Sequence, residues 1–131
     1  MASGLAATTL ANKWLDMLGA TAFTAPANTY VQLHTGEPGA AGTTAVSSNT
    51  TRVLIAWAAA SAGSKAIQAT FPAWANWAGT NGEVVTNISV WDALTTGNFL
   101  YSVLLTASKT VNTGDTLTLT SMSVSFTPIA A

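Results

Sequence analysis

Val84-Val85-Thr86-Asn87-Ile88-Ser89-Val90-Trp91-Asp92 and Phe99-Leu100-Tyr101-Ser102-Val103-Leu104-Leu105-Thr106 are two runs rich in β-branched and aromatic residues, set on either side of Leu94-Thr95-Thr96-Gly97-Asn98. Branched and aromatic side chains pack well on a pleated surface, so both runs read as strands. The short intervening stretch contains a glycine, which supplies the positive φ that a hairpin loop of this length needs. The pair therefore reads as an antiparallel β-hairpin, with Trp91 and Leu104 expected inside.

Downstream, Lys109 to Asp115 (KTVNTGD) is turn chemistry, and Thr116 to Thr127 alternates with a slipped phase. Leu117 and Leu119 are odd-numbered, whereas Met122, Val124 and Phe126 are even. A slip of one residue sends every following side chain to the opposite face. A bulge or break near Thr120-Ser121, or a strand that passes from one sheet to another, accommodates it.

Upstream, Thr29 to His34 (TYVQLH) alternates, with Val31 and Leu33 on one face and Tyr30, Gln32 and His34 on the other. Gly36-Glu37-Pro38-Gly39 opens a turn-rich loop. Arg52 to Trp57 (RVLIAW) reads as a strand apolar on both faces, and Ala66 to Phe71 as a weaker one. Phe71 to Gly79 (FPAWANWAG) reads as a loop carrying two tryptophans three residues apart. Near the start, Leu10, Trp14, Met17 and Leu18 share one face of a short helix, with Thr8 or Thr9 as its cap and Gly19 at its left-handed end. Six or seven short strands with turns between them indicate a mostly-β fold, an antiparallel β-sandwich or Greek-key barrel with a short N-terminal α-helix. Residues 1–28 form the helix and linker, and residues 29–131 the β-sandwich domain.

Of the 131 residues, 49% are hydrophobic and only 7% charged, where a soluble domain usually carries roughly a quarter charged residues. Solubility leans on charge, so an outside made of Thr, Ser and Asn is expected to be covered in part by partners. Lys13, Arg52, Lys65 and Lys109 are scattered, which excludes the clustered cations that neutralise nucleic-acid phosphates or an anionic membrane surface. With no cysteine, disulfides and thiolate metal sites are out. The strongest apolar stretch, Val53 to Ala62, is about half of a membrane-spanning helix. The N-terminus lacks the basic and hydrophobic blocks of a signal peptide.

Catalytic parts are scarce. The one histidine, His34, ends a strand with no nucleophile elbow in sight, and it reads as structural. Asp16, Glu37, Glu83, Asp92 and Asp115 are the carboxylates; the last four sit in or beside turns, where acids bond the local backbone. No phosphate-cradling or calcium-loop pattern occurs. No catalytic, cofactor-binding or metal residues are therefore assigned. Of five tryptophans, Trp57 and Trp91 read as core. Trp74 and Trp77 read either as caps on an open end of the sandwich, as a subunit contact, or as a platform on which a sugar stacks. Together with Trp14 and Met17 of the helix stripe they are the expected subunit or receptor contacts.

The order Tyr30-Val31-Gln32-Leu33-His34-Thr35-Gly36-Glu37-Pro38-Gly39, Ser89-Val90-Trp91-Asp92-Ala93, Thr96-Gly97-Asn98-Phe99-Leu100 and Thr106 to Asp115 (TASKTVNTGD) resembles a family of small phage tail-fibre or minor tail proteins. Its members share an "L-H-T-x-[DE]-P-G" start, a "[IV]-W-D-A…G-x-x-L" hairpin and an "L-T-x-S-K-T-V-x-x-G-D" turn. The likeness runs over roughly residues 29–127; Met122 and the Trp74-x-x-Trp77 loop depart from it. It implies a virion structural role without catalysis or cofactor, after synthesis in the host cytoplasm. The partners it implies are other virion proteins; the shortage of charge adds copies of this chain, in a closed oligomer for which a trimer is the first expectation. The rival readings are a capsid decoration protein, a module binding host surface glycan through Trp74 and Trp77, and a small hydrolase using His34.

Overall fold

The structure, a computed structural model, describes residues 3–127; the first two residues of the 1–28 segment and the last four of the 29–131 unit lie outside it. The hairpin dominates the architecture. Strands β5 (Glu83–Trp91) and β6 (Phe99–Val111) pair antiparallel, and β1 (Tyr30–His34) and β2 (Val53–Leu54) extend the sheet in the order β2-β1-β5-β6. Two small antiparallel sheets complete the strands: β3 (Ser64–Ala66) with β8 (Ser123–Ser125), and β4 (Ala73–Trp74) with β7 (Leu117–Thr118). The mostly-β, antiparallel expectation holds, and the strands do not close into a barrel.

Register decides which side chains share a face. Val31 lies opposite Val90 and Leu33 opposite Ile88, while Tyr101 and Val103 continue the same row across β6. That face meets Trp74 of β4, with Ile67 just after β3 and Met122 just before β8, in one apolar core. The second face carries Gln32, His34, Asn87 and Ser89, all buried. A polar row of this kind is tolerated inside only when it is hydrogen-bonded. Ser3 covers it at Asn87, the Thr44 carbonyl meets His34, and a small cluster of Ala6, Trp91 and Phe99 closes its end.

The phase slip in the last segment is resolved by a change of partner. Leu117 faces Trp74 in one sheet, Val124 faces Lys65 in the other, and the break between them turns Met122 into the core. Several local expectations are corrected. Arg52 to Trp57 keeps only Val53–Leu54 as strand, Ala66 to Phe71 gives way to Ser64–Ala66, and the supposed Phe71–Gly79 loop contains β4. Leu104 is 64% exposed: it lies opposite Asn87, on the polar face, beyond the segment that covers that row. Between Lys109 and Leu104 the strand runs five residues against two on β5, so β6 bulges there.

The N-terminal segment is stitched to the outer edge of β6. Ser102 donates to the Gly4 carbonyl and Ala6 to the Leu100 carbonyl, with Thr9 Oγ1 bonded to the Phe99 carbonyl. A π-turn (Ala7–Ala11), α1 (Asn12–Asp16) and a 3₁₀ turn (Met17–Gly19) follow. No threonine caps this helix, whose cap is Ala6, and Ala20 rather than Gly19 takes the left-handed conformation at its end.

At the hairpin tip, Gly97 has φ +74°, and a Cβ there would meet Asp92 Oδ1 at 2.5 Å. Asp92 accepts from the Asn98 backbone N–H and side chain, which fixes the turn. Arg52 then clamps it, with its guanidinium 3.8 Å from the Trp91 ring centre and donating to the Ala93 and Thr96 carbonyls. Trp91 thus carries apolar packing, a cation–π contact and a hydrogen bond to Ser89 at once. Trp91→Ala is expected to cost roughly 3–5 kcal/mol, a large part of a small domain's stability of about 5–15 kcal/mol. Urea titration followed by circular dichroism checks it, and a midpoint unchanged from the parent protein contradicts this account of the hairpin.

Candidate functional site

The chemistry closest to an active site is the contact between His34 and Ser89. His34 Nδ1 lies 2.9 Å from the Thr44 carbonyl and Nε2 2.7 Å from Ser89 Oγ, while Trp91 Nε1 lies 2.8 Å from the same oxygen. A carbonyl only accepts, so Nδ1 carries the proton. Nε2 then accepts from the Ser89 hydroxyl, which in turn accepts from the indole N–H. Burial lowers the His34 pKa from its ordinary 6.5 and favours this neutral form. A hydroxyl beside an imidazole is the geometry of an activated nucleophile, but both residues have no solvent-exposed area. The group that orients the ring is a carbonyl, not a carboxylate. The pair is structural.

The carboxylates are dispersed into local roles. Asp92 and Asp115 hold turns, and Glu83 accepts from Ser47 Oγ and the Ser48 N–H. Partial burial pushes the Glu83 carboxyl up, but those hydrogen bonds outweigh it and hold it below its ordinary 4.5. Among the described residues, no group of His, Asp and Glu side chains is placed to hold a metal ion.

The tryptophans expected at a contact part company. Trp74 and Trp77 are 3% and 1% exposed, with their indole N–H groups donating to the Thr51 and Thr80 carbonyls. Strand β4 turns the first ring into the core. Gly79 leaves room for the second, since a Cβ there would stand 2.9 Å from that ring. Neither ring has a face to offer a sugar or a subunit, so the contact expected of these two is corrected to core packing. Trp14 is half-buried and Met17 exposed.

What the fold leaves open is an apolar cavity of about 480 Å³, lined by Trp14, Phe23, Trp57, Tyr101, Val124 and Phe126 among others. Trp14 and Phe126 meet edge to face at 5.4 Å. Polar groups on its wall are mostly occupied: Trp57 Nε1 donates to Thr29 Oγ1, and Lys65 Nζ to the Ala58 carbonyl at the rim. Tyr101 differs in that its hydroxyl is shut off from the cavity's open space. It is 8% exposed, and its hydroxyl has no hydrogen-bond partner. Burial raises its pKa well above the ordinary phenol value, so it remains a neutral hydroxyl.

The helix that walls this cavity is apolar around more of its circumference than the domain covers. At about 100° per residue, Leu10 and Trp14 point the same way, and both pack on the core. Leu18 and Leu15 follow on one flank and Met17 on the other. Leu18 is 84% and Leu15 65% exposed, and Met17 is exposed with them. The stripe read from sequence as one face is therefore divided, half inward and half to solvent. Leu15, Tyr101 and Phe126 carry no motif in the sequence; the sign that was there is the crowding of apolar residues at 10, 14, 15, 17 and 18.

Comparison with known families finds a match over residues 5–127 to the model described as Podophage GP4 fiber I protein gp80, a phage tail-fibre family. Among curated proteins, none matches the chain.

The buried histidine makes stability depend on pH in a defined window. Its folded-state pKa lies below 6.5, so just under that value the unfolded chain binds more protons and stability rises with pH. The contribution is complete above pH about 6.5 and is lost as the pH falls toward the lowered folded value. His34→Gln is expected to be less stable at neutral pH and to show a flatter profile between pH 7 and 5. Melting temperatures of both proteins across that range check it, and parallel profiles would show that His34 is not the titrating group.

Proposed function

The chain belongs to the phage tail-fibre family of Podophage GP4 fiber I protein gp80, and from that premise we propose that it is a non-enzymatic subunit of the tail tip or fibre, held in place by protein–protein contacts. The family implies a place in the virion among other virion proteins. The observation that carries the finer reading is the exposed apolar flank of the N-terminal helix beside an apolar cavity. It occurs on a chain with only nine charged side chains, four basic and five acidic. Apolar patches of more than a few hundred Å² are uncommon on monomers, and burial stabilises by roughly 25 cal/mol per Å². An assembled subunit resolves that exposure by placing copies of itself or its neighbours over the patch.

Other features support the same reading by removing its rivals' footing. A sugar platform needs an accessible ring, and Trp74 and Trp77 are interior. A hydrolase needs a reachable nucleophile, and Ser89 is covered. Gold-labelled antibody on intact particles is expected to mark the tail end or its fibres; label confined to the head would overturn the proposal.

A further inference from the structure

Asn81-Gly82 leads into the hairpin strand β5, and the pair carries a chemistry of its own. The side-chain carbonyl carbon of an asparagine can be attacked by the backbone nitrogen of the next residue, and glycine offers that nitrogen with no Cβ in the way. Every other asparagine of the chain is followed by a residue with a side chain. Asn81 is exposed, so water and base reach it. The attack also needs an N–H free to lose its proton, a side chain free to swing, and a backbone free to bring the two atoms together.

The fold withholds all three. The Gly82 N–H donates to the Val111 carbonyl at 3.0 Å, and the Thr113 N–H donates to Asn81 Oδ1 at 3.0 Å. The Glu83 N–H closes the turn onto the Thr80 carbonyl at 3.3 Å, with Gly82 at φ +74°. These bonds belong to a unit built around a buried ring. Trp77 donates from its backbone N–H to the Asp115 carbonyl and from Nε1 to the Thr80 carbonyl, and its own carbonyl accepts from the Gly114 N–H. The contacts that seat Trp77 thus also hold the Gly82 nitrogen and the Asn81 amide away from reaction.

We infer that Asn81 is a fold-gated deamidation site: inert while the Val111 and Thr113 bonds stand, and self-modifying once this end of the hairpin opens. On opening, the Gly82 nitrogen gives its proton to solvent base and bonds to Asn81 Cγ. The Cγ–Nδ2 bond breaks, and ammonia leaves with a proton from water, which closes a succinimide. Water then opens the ring. Cleavage of the bond between Cγ and the Gly82 nitrogen yields aspartate. Cleavage at the Asn81 α-carbonyl yields isoaspartate, with the main chain rerouted through Cγ. The two products differ in what they do to the fold. Aspartate keeps an oxygen for the Thr113 N–H. Isoaspartate lengthens the main chain by one carbon ahead of Gly82, which displaces the Gly82 N–H from Val111 and loosens the turn beside Trp77.

The test incubates the full chain at mildly alkaline pH, folded and in urea. Mass spectrometry follows the Asn81 peptide for conversion of amide to acid, with enzymatic methylation of isoaspartate as a second readout. In urea Asn81 is expected to convert ahead of every other asparagine. In the folded chain it is expected to convert at least roughly tenfold more slowly, since only the locally open fraction reacts. Thr113→Pro isolates the side-chain lock. Thr113 is the second residue of a turn closed by the Asp115 N–H on the Asn112 carbonyl, with Gly114 third at φ +88°, and that place suits proline. The variant loses the N–H that holds Asn81. With circular dichroism confirming the fold, it is expected to convert severalfold faster than the parent when folded and at the parent's rate in urea. The isoaspartate form, separated by chromatography, is expected to melt below the parent. Equal parent rates folded and in urea would overturn the gate, as would a folded Thr113→Pro that converts no faster than the parent. Should that variant fail to fold, the ratio of the parent's two rates decides alone. An Asn81 that stays unmodified in urea would overturn the site itself.

Discussion

The Ser89 hydroxyl is the junction on which the second face of the sheet depends. It donates to His34 on β1 and accepts from Trp91 on its own strand, while His34 passes the chain on to the Thr44 carbonyl in the preceding loop. Every donor in that relay has one acceptor, and the tautomer follows without choice. Because the row is buried, removing any member leaves a neighbour with a desolvated polar atom, which costs more than the lost bond itself. The relay therefore fixes the register of β1 against β5 and seats the Thr44 loop over the sheet. It also aims the Trp91 ring at Arg52, whose guanidinium then locks the hairpin tip through the Ala93 and Thr96 carbonyls. A small protein with few charges has here used three uncharged polar side chains and a single cation where others use ion pairs.

Much of this was legible in the sequence because it is local. The hairpin is encoded by two branched, aromatic runs and a glycine at a left-handed position. The alternation of Val31 and Leu33 against Gln32 and His34 assigned the two faces of β1 correctly. The phase slip after Leu119 is a local fact as well, and the structure meets it with a break, after which the chain pairs in another sheet. The resemblance rested on the same turns and hairpin, and the family match covers them.

The failures are equally instructive, and most of them are non-local. Trp74 and Trp77 look exposed in a window of Pro, Ala and Gly because nothing nearby could bury an indole. Their cover comes from β7 and the Asp115 turn, some forty residues away in the chain. Leu104 looks buried by hydropathy, yet parity places it opposite Asn87 on a face whose cover ends before reaching it. The helix shows a third kind of failure. Its apolar residues form an arc too wide for one interface, and a helix reading that asks only for one face counts the surplus as core. The cavity was invisible for the same reason: Phe23, Trp57, Tyr101 and Phe126 converge from four separate segments.

An exposed apolar flank has a thermodynamic consequence that fits the proposed assembly. Displaying Leu15, Met17 and Leu18 to water forgoes burial of about 1.5–3 kcal/mol for each side chain fully covered. On the proposed assembly, a partner that covers the flank binds only the folded chain and stabilises it by mass action. The scarcity of charge acts in the same direction, since few like charges are brought together when copies meet. The β6 edge, guarded by its bulge and by Lys109, denies the open-ended strand pairing that low charge would otherwise invite. On the proposed assembly, contact is thereby left to side chains and kept from the backbone, where strand addition has no natural stop.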